Sequence, residues 1–355
     1  MKRVVVDLRD RRPAWAIPEW AIEELGASLP QGWVLEVATS FTDGSGDGAA
    51  EVPADVLRLV EGAQVYVGYG VRPEILAAGG GSLEWVHTAT AGVGGSLHRA
   101  MRESGVRFTN SAGIHGPPIA ETVVGMILYF ARGLDFARAS QSQGRWDTEP
   151  FLRADTPVVE LSSMTVGILG YGGIGREVGD RVRALGARVL GLRRSLPNGA
   201  QGKGRGASPA GDGGNLEVVC GAAGLDRLLR ESDVLVVSAP ETPETRGVLD
   251  RSRIRALRPG AILVNVARGS LVDQAALVEA LRDGHLRGAA LDVFEVEPLP
   301  AEDALWALPN VLLTPHVSGV SSEFWRRELD LVLGNLERLE GGGPLRNEVD
   351  REAGY

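Results

Sequence analysis

Three polar side chains in the last third of the sequence have the types that proton and anion chemistry needs. His316 follows Leu313-Thr314-Pro315 and precedes Val317-Ser318-Gly319. An imidazole ordinarily gains and loses a proton near neutral pH, which suits an acid/base role. Glu297 follows Asp292-Val293-Phe294-Glu295-Val296 and precedes Pro298-Leu299-Pro300. A carboxylate on the far ring nitrogen would orient the imidazole and favour its charged form. Arg268 lies between Val264-Asn265-Val266-Ala267 and Gly269-Ser270-Leu271. Its guanidinium is always charged and can hold a carboxylate while polarising a carbonyl.

A fourth feature is built from glycine. Val166-Gly167-Ile168-Leu169 runs into Gly170-Tyr171-Gly172-Gly173-Ile174-Gly175, and apolar Val178, Val182 and Leu185 follow at helical spacing. Gly170 suits a tight turn, Gly172 lets backbone approach a pyrophosphate, and Gly175 lets helix and strand pack closely. The helix N-terminus then offers free N–H groups to an anion. The pattern predicts a dinucleotide site on residues 170–175. The next apolar run ends in Arg193-Arg194-Ser195, where an NAD-selective site carries an acid. Two guanidiniums and a hydroxyl suit a 2′-phosphate, so NADP is expected in preference to NAD. The alternative is a pair of solvated arginines at a strand end.

The elements that must position these groups alternate along the chain. Apolar, β-branched runs lie at residues 4–6, 34–39, 65–67 and 85–88, with helical stretches at 20–27, 53–61 and 73–78 between them. A second series occupies residues 165–169, 188–192, 234–238, 262–266, 289–293 and 311–314. Alternation of this kind marks parallel sheets covered by helices. It predicts an α/β chain of two Rossmann-like or flavodoxin-like parallel-sheet domains with a cleft between them. Glycine-rich residues 42–50 read as a surface loop. Residues 198–215 read as an insertion within the second series, too poor in apolar surface to order themselves.

Composition narrows the classes. The 355-residue chain carries a formal charge of −9, which disfavours a nucleic-acid partner. A single cysteine, Cys220, excludes an internal disulfide and suits a reducing compartment. The first apolar run is too short for a secretory signal, and the most apolar helical stretch, residues 122–130, is too short to span a bilayer. A cytoplasmic protein is expected. Five scattered histidines give no metal-ligand spacing, and no Gly-x-Ser-x-Gly elbow is present.

The three polar motifs, in this order after the glycine fingerprint, resemble the D-isomer-specific 2-hydroxyacid dehydrogenase family. Its glyoxylate/hydroxypyruvate reductase and phosphoglycerate dehydrogenase branches are the most similar, and the likeness covers nearly the whole chain. Ala112-Gly113-Ile114-His115-Gly116 resembles the entry to the family's cofactor domain. Pro240-Glu241-Thr242-Pro243-Glu244-Thr245 looks like its Thr-Pro-x-Thr loop. Gly334-Asn335-Leu336 and Asn347-Glu348-Val349-Asp350 resemble the returning tail. The resemblance implies a discontinuous substrate domain, 1–115 with 321–355, and a nicotinamide-binding domain at 116–320.

It also implies NAD(P)-dependent interconversion of a small 2-oxo acid and a D-2-hydroxy acid. Hydride transfer belongs to the nicotinamide, with His316 as acid/base, Glu297 behind it and Arg268 on the carboxylate. By the same resemblance Pro240, Thr245, Val266, Ala267, Asp292, His316 and Gly319 contact the cofactor, although Asp292 and Gly319 also fit ordinary strand ends. The stretch Ala89-Thr90-Ala91-Gly92-Val93-Gly94-Gly95 is similar to the family's substrate loop, in which Ala91, Gly92 and Val93 would present N–H groups to the carboxylate. Gly94 stands where many relatives have Asp, and a ligand-free turn is the alternative. Tyr69–Arg72 and Trp325 are further candidates for the pocket, with Arg72 holding a second anion or simply facing solvent. His115 lies at the domain crossing, and His87, His98 and His285 are expected to be structural. Trp146 and a preceding helix over residues 122–138 match the family's dimer contact, so a homodimer is expected. Two alternatives remain: a formate- or phosphonate-type dehydrogenase, and a non-catalytic NAD(H)-sensing protein of the same fold.

Overall fold

The apolar runs are strands, and their alternation decides which core each residue enters. In β1 (Lys2–Asp7) Val4 and Val6 face one core and Val5 the other. Side chains of successive strand residues point to opposite faces, so one Val-Val-Val run seals both sides of a sheet. The computed structural model describes residues 1–41, 51–194, 214–352 and 354, which form two compact units: Met1–His115 with Val320–Tyr355, and Gly116–Gly319.

In the first unit β1 is joined by β2 (Trp33–Val37), β3 (Val65–Gly68), β4 (Trp85–Thr88) and β5 (Arg107–Asn110). All pairings are parallel, in the order β2-β1-β3-β4-β5, a flavodoxin-like arrangement. The C-terminal helix Phe324–Glu340 supplies Phe324, Trp325, Leu329, Val332 and Leu336 to the core on one face.

The second unit holds β6 (Thr165–Leu169), β7 (Arg188–Arg193), β8 (Leu216–Cys220), β9 (Val234–Val237), β10 (Ala261–Asn265), β11 (Leu286–Leu291) and β12 (Val311–Leu313). Their order is β12-β11-β10-β9-β6-β7-β8, again all parallel. The order turns back beside β6, between β6 and β9, where doubly wound sheets place a dinucleotide. Among the described residues no helix is long and apolar enough to cross a membrane, and no cluster could hold a metal.

Four details differ from the sequence expectations. The return crossing falls at Val320, one residue before the expected 321. The helix expected over 122–138 is two, Gly116–Ala131 and Leu134–Ser142, because Gly133 takes a left-handed backbone (φ 67°) between them. Val178 and Val182 are buried, but Leu185, the C-cap of its helix, is 47% exposed. Strands β5 and β8 are absent from the expected runs: β5 reads Arg-Phe-Thr-Asn, three polar residues of four, and β8, Leu-Glu-Val-Val-Cys, follows directly on the glycine-rich stretch read as an insertion. Residues 42–50, and 198–213 of that stretch, lie outside the described residues.

At the end of β1 a charge is folded into the core. Asp7 is 5% exposed and accepts a hydrogen bond from the Tyr66 hydroxyl at 2.9 Å. Burial pushes its carboxyl up to about 6, against the Tyr66 bond and with help from nearby Asp55. A folded pKa above the unfolded one means this group's contribution to stability is full below about pH 4 and lost as pH rises through 6. A carboxyl raised from its ordinary value near 4 to about 6 loses about 3 kcal/mol across that window. Asp7→Asn should therefore gain stability on wild type by about that much between pH 4 and pH 7, read from urea midpoints. A pH-independent difference would refute the burial account.

Candidate active site

The site in the second unit is assembled from the ends of β10, β11 and β12. Asp292, one residue past β11, is 1% exposed. Its carboxyl accepts from the Thr314 hydroxyl at 2.6 Å, from Val317 N at 2.9 Å and from Ser318 N at 3.0 Å. Its carbonyl accepts from His316 N at 2.8 Å. The whole 314–318 turn is thus wrapped on one buried residue. His316 sits there at φ 55°, a left-handed backbone that non-glycine residues take seldom.

With its backbone fixed, the His316 ring donates from Nδ1 to Glu297 Oε2 at 2.7 Å. The other oxygen of Glu297 accepts from Phe294 N at 3.0 Å, so the carboxylate is held from both sides. Nε2 is left as the ring atom available for proton exchange. Half of the His316 side chain and a third of the Glu297 side chain remain exposed, which leaves the pair accessible.

Arg268 is exposed one turn after β10. Buried Asn265 shapes that turn: its amide donates to the Arg268 carbonyl at 3.0 Å and its oxygen accepts from Ala267 N at 3.1 Å. The Asn265 carbonyl also accepts from Asp292 N at 3.0 Å, which ties the Arg268 turn to the His316 turn. Gly269 completes the approach. A Cβ there would lie 1.8 Å from the Phe294 carbonyl carbon, so only glycine lets the 268 and 294–297 segments meet.

The glycine turn lies at the carboxyl end of β6. Gly170 takes φ 101°, and a Cβ on it would meet Ala239 N at 2.4 Å. Gly170 N and Tyr171 N both donate to the Leu192 carbonyl, at 3.1 and 2.8 Å, pinning the turn to β7. The helix Gly173–Ala184 begins at the Gly172 cap, and the first-turn N–H groups of Gly173, Ile174 and Gly175 have no intrahelical acceptor. Space around Gly172 and Gly173 is open to 4 Å, whereas a Cβ on Gly175 would collide with the Gly170 carbonyl oxygen at 2.4 Å. Dipole, free donors and open space fit a dinucleotide pyrophosphate. The Tyr171 ring packs over Gly191 and Gly179 and is buried there. Val266 and Ala267 are likewise buried.

Arg193 is the last residue of β7, paired with Cys220 of β8, and Arg194 is exposed. Arg194 lies close enough to Glu244 to help the Thr242 hydroxyl and the turn's own backbone hold that carboxyl below its usual range. The 240–245 turn is closed by Thr245 Oγ1, which donates to the Pro240 carbonyl at 2.7 Å. Ser195 lies outside the described residues. Gly319 ends the second unit.

In the first unit the 89–93 loop follows β4. Its carbonyls are committed: Thr90 accepts from Ser111 N at 3.0 Å, Ala91 from the Asn110 amide at 2.8 Å, Gly92 from the Thr90 hydroxyl at 2.7 Å, and Val93 from Ser96 N and Leu97 N at 3.0 Å. The N–H groups of Ala91, Gly92 and Val93 find no acceptor among the described residues. A run of backbone donors left over in this way fits an anion. Tyr69 and Trp325, pocket candidates in the sequence, are buried core residues, and Arg72 lies 3.5 Å from Glu74. His115 stacks on Phe324, and His98 caps the Arg99–Glu103 helix. Sequence reasoning missed Asn265 and the structural use of Asp292. The available signal was a polar residue closing an otherwise apolar run, as in Ala261-Ile-Leu-Val-Asn265.

Comparison with known proteins adds to this geometry. Residues 124–318 match the family profile described as D-isomer specific 2-hydroxyacid dehydrogenase, NAD binding domain. A D-3-phosphoglycerate dehydrogenase of Methanocaldococcus jannaschii is 31% identical over 268 residues, 76% of this chain; the chain spans about half (48%) of that protein's length. A hydroxypyruvate reductase of Thermotoga maritima is 32% identical over 260 residues, 72% of this chain and 77% of that one. The crystal structure of a D-isomer specific 2-hydroxyacid dehydrogenase from Xanthobacter autotrophicus, in complex with NADPH and MES, superposes with a TM-score of 0.77 at 29% identity. It covers 100% of this chain and 99% of the other.

The contact at Gly269 makes a direct test of how the site is assembled. Gly269→Ala should cost about 3 kcal/mol of stability, the upper range for overpacking, because backbone and not a flexible side chain blocks the methyl. Urea unfolding of the purified variant measures it; a loss under about 0.5 kcal/mol, the range of a neutral surface change, would show that the 268 and 294–297 segments are not locked together.

Proposed function

From the premise that this chain belongs to the D-isomer-specific 2-hydroxyacid dehydrogenase family, we propose that it reduces a small 2-oxo acid with NADPH in preference to NADH. The oxidoreductase class follows from the family. The observation that carries the residue assignment is the 2.7 Å bond from His316 Nδ1 to Glu297 Oε2. With Nδ1 committed, Nε2 holds the proton that the carbonyl oxygen takes up, and Glu297 balances the charge of the imidazolium. In the oxidative direction Nε2 accepts the hydroxyl proton.

Arg268 holds the substrate carboxylate and polarises the carbonyl, and the N–H groups of Ala91, Gly92 and Val93 supply the remaining anion donors. The nicotinamide cofactor, when bound, supplies the hydride. Its pyrophosphate is assigned to Gly173, Ile174 and Gly175 N–H, and its 2′-phosphate to Arg193 and Arg194 with Ser195. Pro240, Thr245, Val266, Ala267, Asp292 and Gly319 border it. Two facts support NADPH: no acid stands at the end of β7, and the similar Xanthobacter protein is described in complex with NADPH. The Thermotoga relative's name favours an acid the size of hydroxypyruvate.

The protein is further assigned as a cytoplasmic homodimer. One cysteine in 355 residues suits a reducing compartment. Leu134, Trp146 and Leu152 expose apolar surface within a short stretch of the second unit, Trp146 at 94%, as an interface would.

Purified protein mixed with NADPH or NADH and a panel of glyoxylate, hydroxypyruvate, pyruvate and bulkier 2-oxo acids tests the activity. Turnover of a small acid with kcat/KM at least about tenfold higher for NADPH is expected, a gap of about 1.4 kcal/mol. His316→Ala should lose about 10²–10⁴-fold in kcat while still binding NADPH. NADPH binding without turnover of any acid would overturn the activity; a preference for NADH would overturn the cofactor assignment alone. Light scattering at micromolar concentration should give twice the single-chain mass of 37.6 kDa; the single-chain mass would overturn the dimer.

A further inference from the structure

The first unit contains a buried polar network that the proposed chemistry does not use. His87, in the middle of β4, is fully buried, and Glu328, in the Phe324–Glu340 helix, is 2% exposed. His87 Nε2 donates to Glu328 Oε1 at 2.8 Å. The second oxygen of Glu328 accepts from the Ser111 hydroxyl at 2.7 Å. On the far side, Trp85 Nε1 donates to Thr109 Oγ1 at 2.8 Å, and Thr109 Oγ1 lies 2.7 Å from His87 Nδ1. Thr109 Oγ1 thus bridges Trp85 and His87, and the His87 ring bridges Thr109 and Glu328. Both carboxylate oxygens are satisfied. A buried carboxylate is expensive unless it is paired and hydrogen-bonded, so a sequence that keeps one in an apolar core keeps it at a cost in stability.

Ser111 is where this network meets the candidate substrate loop. Its backbone N–H donates to the Thr90 carbonyl at 3.0 Å, and its hydroxyl also lies 3.2 Å from the Thr88 carbonyl oxygen. The neighbour Asn110 donates from its amide to the Ala91 carbonyl at 2.8 Å. The returning tail grips the same segment: Asn347 donates from its amide to the Asn110 and Ala112 carbonyls at 3.1 and 2.8 Å, and its own carbonyl accepts from Asn110 N at 3.2 Å. The Thr90 and Ala91 carbonyls are thus held by residues 110–111, which the tail and Glu328 hold in turn. The Ala91, Gly92 and Val93 N–H groups, which find no acceptor among the described residues, follow the Thr90 and Ala91 carbonyls tied into that scaffold and the Gly92 carbonyl held by the Thr90 hydroxyl.

We propose that Glu328 is a positioning residue for substrate binding: through Ser111 and His87 it holds the 88–92 backbone in the form that leaves three N–H groups for the substrate carboxylate. The proposal rests on the assignment of that loop to the carboxylate. Glu328 touches no ligand itself. Its effect is on the affinity of the acid in ground state and transition state alike, so losing it raises KM and leaves kcat.

The test compares Glu328→Leu, Glu328→Gln and Ser111→Ala with wild type. The readouts are melting temperature, kcat, KM for the preferred 2-oxo acid, KM for NADPH, and the affinity of oxamate for the NADH- or NADPH-loaded protein by calorimetry. Glu328→Leu and Ser111→Ala should raise KM for the acid and weaken oxamate about tenfold, with kcat and the NADPH KM within about twofold. Glu328→Gln keeps one acceptor for Ser111 and should stay within about threefold of wild type. A lower melting temperature with unchanged KM and oxamate affinity would overturn the proposal, leaving Glu328 a purely structural residue. A parallel fall in kcat and rise in both KM values would overturn it as general damage. Should Glu328→Leu fail to fold, Ser111→Ala, which removes one hydroxyl, decides the matter by the same criteria. Wild type that neither reduces any acid nor binds oxamate overturns the carboxylate assignment and the proposal together, whereas active wild type with indifferent variants overturns the proposal alone.

Discussion

The second unit depends on one buried carboxyl that serves as its scaffold. Asp292 ties β11 to the 314–318 turn through three side-chain bonds, to His316 N through its carbonyl, and to β10 through its own N–H. Without that fixed point His316 would have no reason to keep a left-handed backbone, which costs on the order of 1–2 kcal/mol for a non-glycine residue. Strain of this size persists only where surrounding structure over-determines it. Here the over-determination is explicit. Its product is a ring whose Nδ1 meets Glu297 and whose Nε2 makes no hydrogen bond among the described residues. Arg268 is drawn into the same lattice by Asn265 and by the absence of a Cβ at Gly269. The three groups come from three strand ends, yet they are not three independent placements.

The same economy appears in the two proposed anion sites. At the glycine turn and at the 89–93 loop the donors are backbone N–H groups, and in both places neighbouring backbone groups are tied elsewhere. Tyr171 N and Gly170 N are spent on Leu192 and Gly172 N on the Gly170 carbonyl, which leaves the first-turn N–H groups of Gly173, Ile174 and Gly175 without an intrahelical acceptor. In the loop after β4, Ser111, Asn110 and Thr90 take the carbonyls. Backbone donors are rigid once their carbonyls are tied, so they bind an anion with little reorganisation. Side chains at such positions would only obstruct, which is why alanine, glycine and valine suffice at 91–93.

Much of this was legible in the sequence, for identifiable reasons. Parallel strands are buried on both faces, so residues 4–6 and 234–237 stand out as unbroken apolar runs. The glycine fingerprint could be placed because strand and helix flank it. His316, Glu297 and Arg268 were visible as charged residues just past such runs. What stayed hidden was structure made by polar groups at a distance. Glu328 and His87 are 241 positions apart, and Asn110 and Asn347 are 237 apart; no local pattern marks either pair. The split between the Gly116–Ala131 and Leu134–Ser142 helices turned on one left-handed glycine inside an apolar stretch, where periodicity alone continues through. Strand β5 was missed because three of its four residues are polar and Phe108 alone gives no apolar run.

An acidic protein proposed to bind acids poses an electrostatic question, and distance answers it. The chain's net charge is −9, which on a long view would repel a 2-oxo acid and a dinucleotide alike. At physiological salt, however, exposed charges are screened over about 8 Å. The acids are spread over the surface and many are paired with arginines, as in the Arg188–Glu217–Arg227–Glu231 network, so they contribute little at any one point. What a bound anion feels is its immediate shell. At the proposed sites that shell consists of a helix N-terminus, the loop donors at 91–93, and the guanidiniums of Arg268, Arg193 and Arg194. The sign of the whole molecule therefore bears on its solubility and its choice of macromolecular partners. The sign of each site is set within a few ångströms, by dipoles and arginines that the fold has placed there.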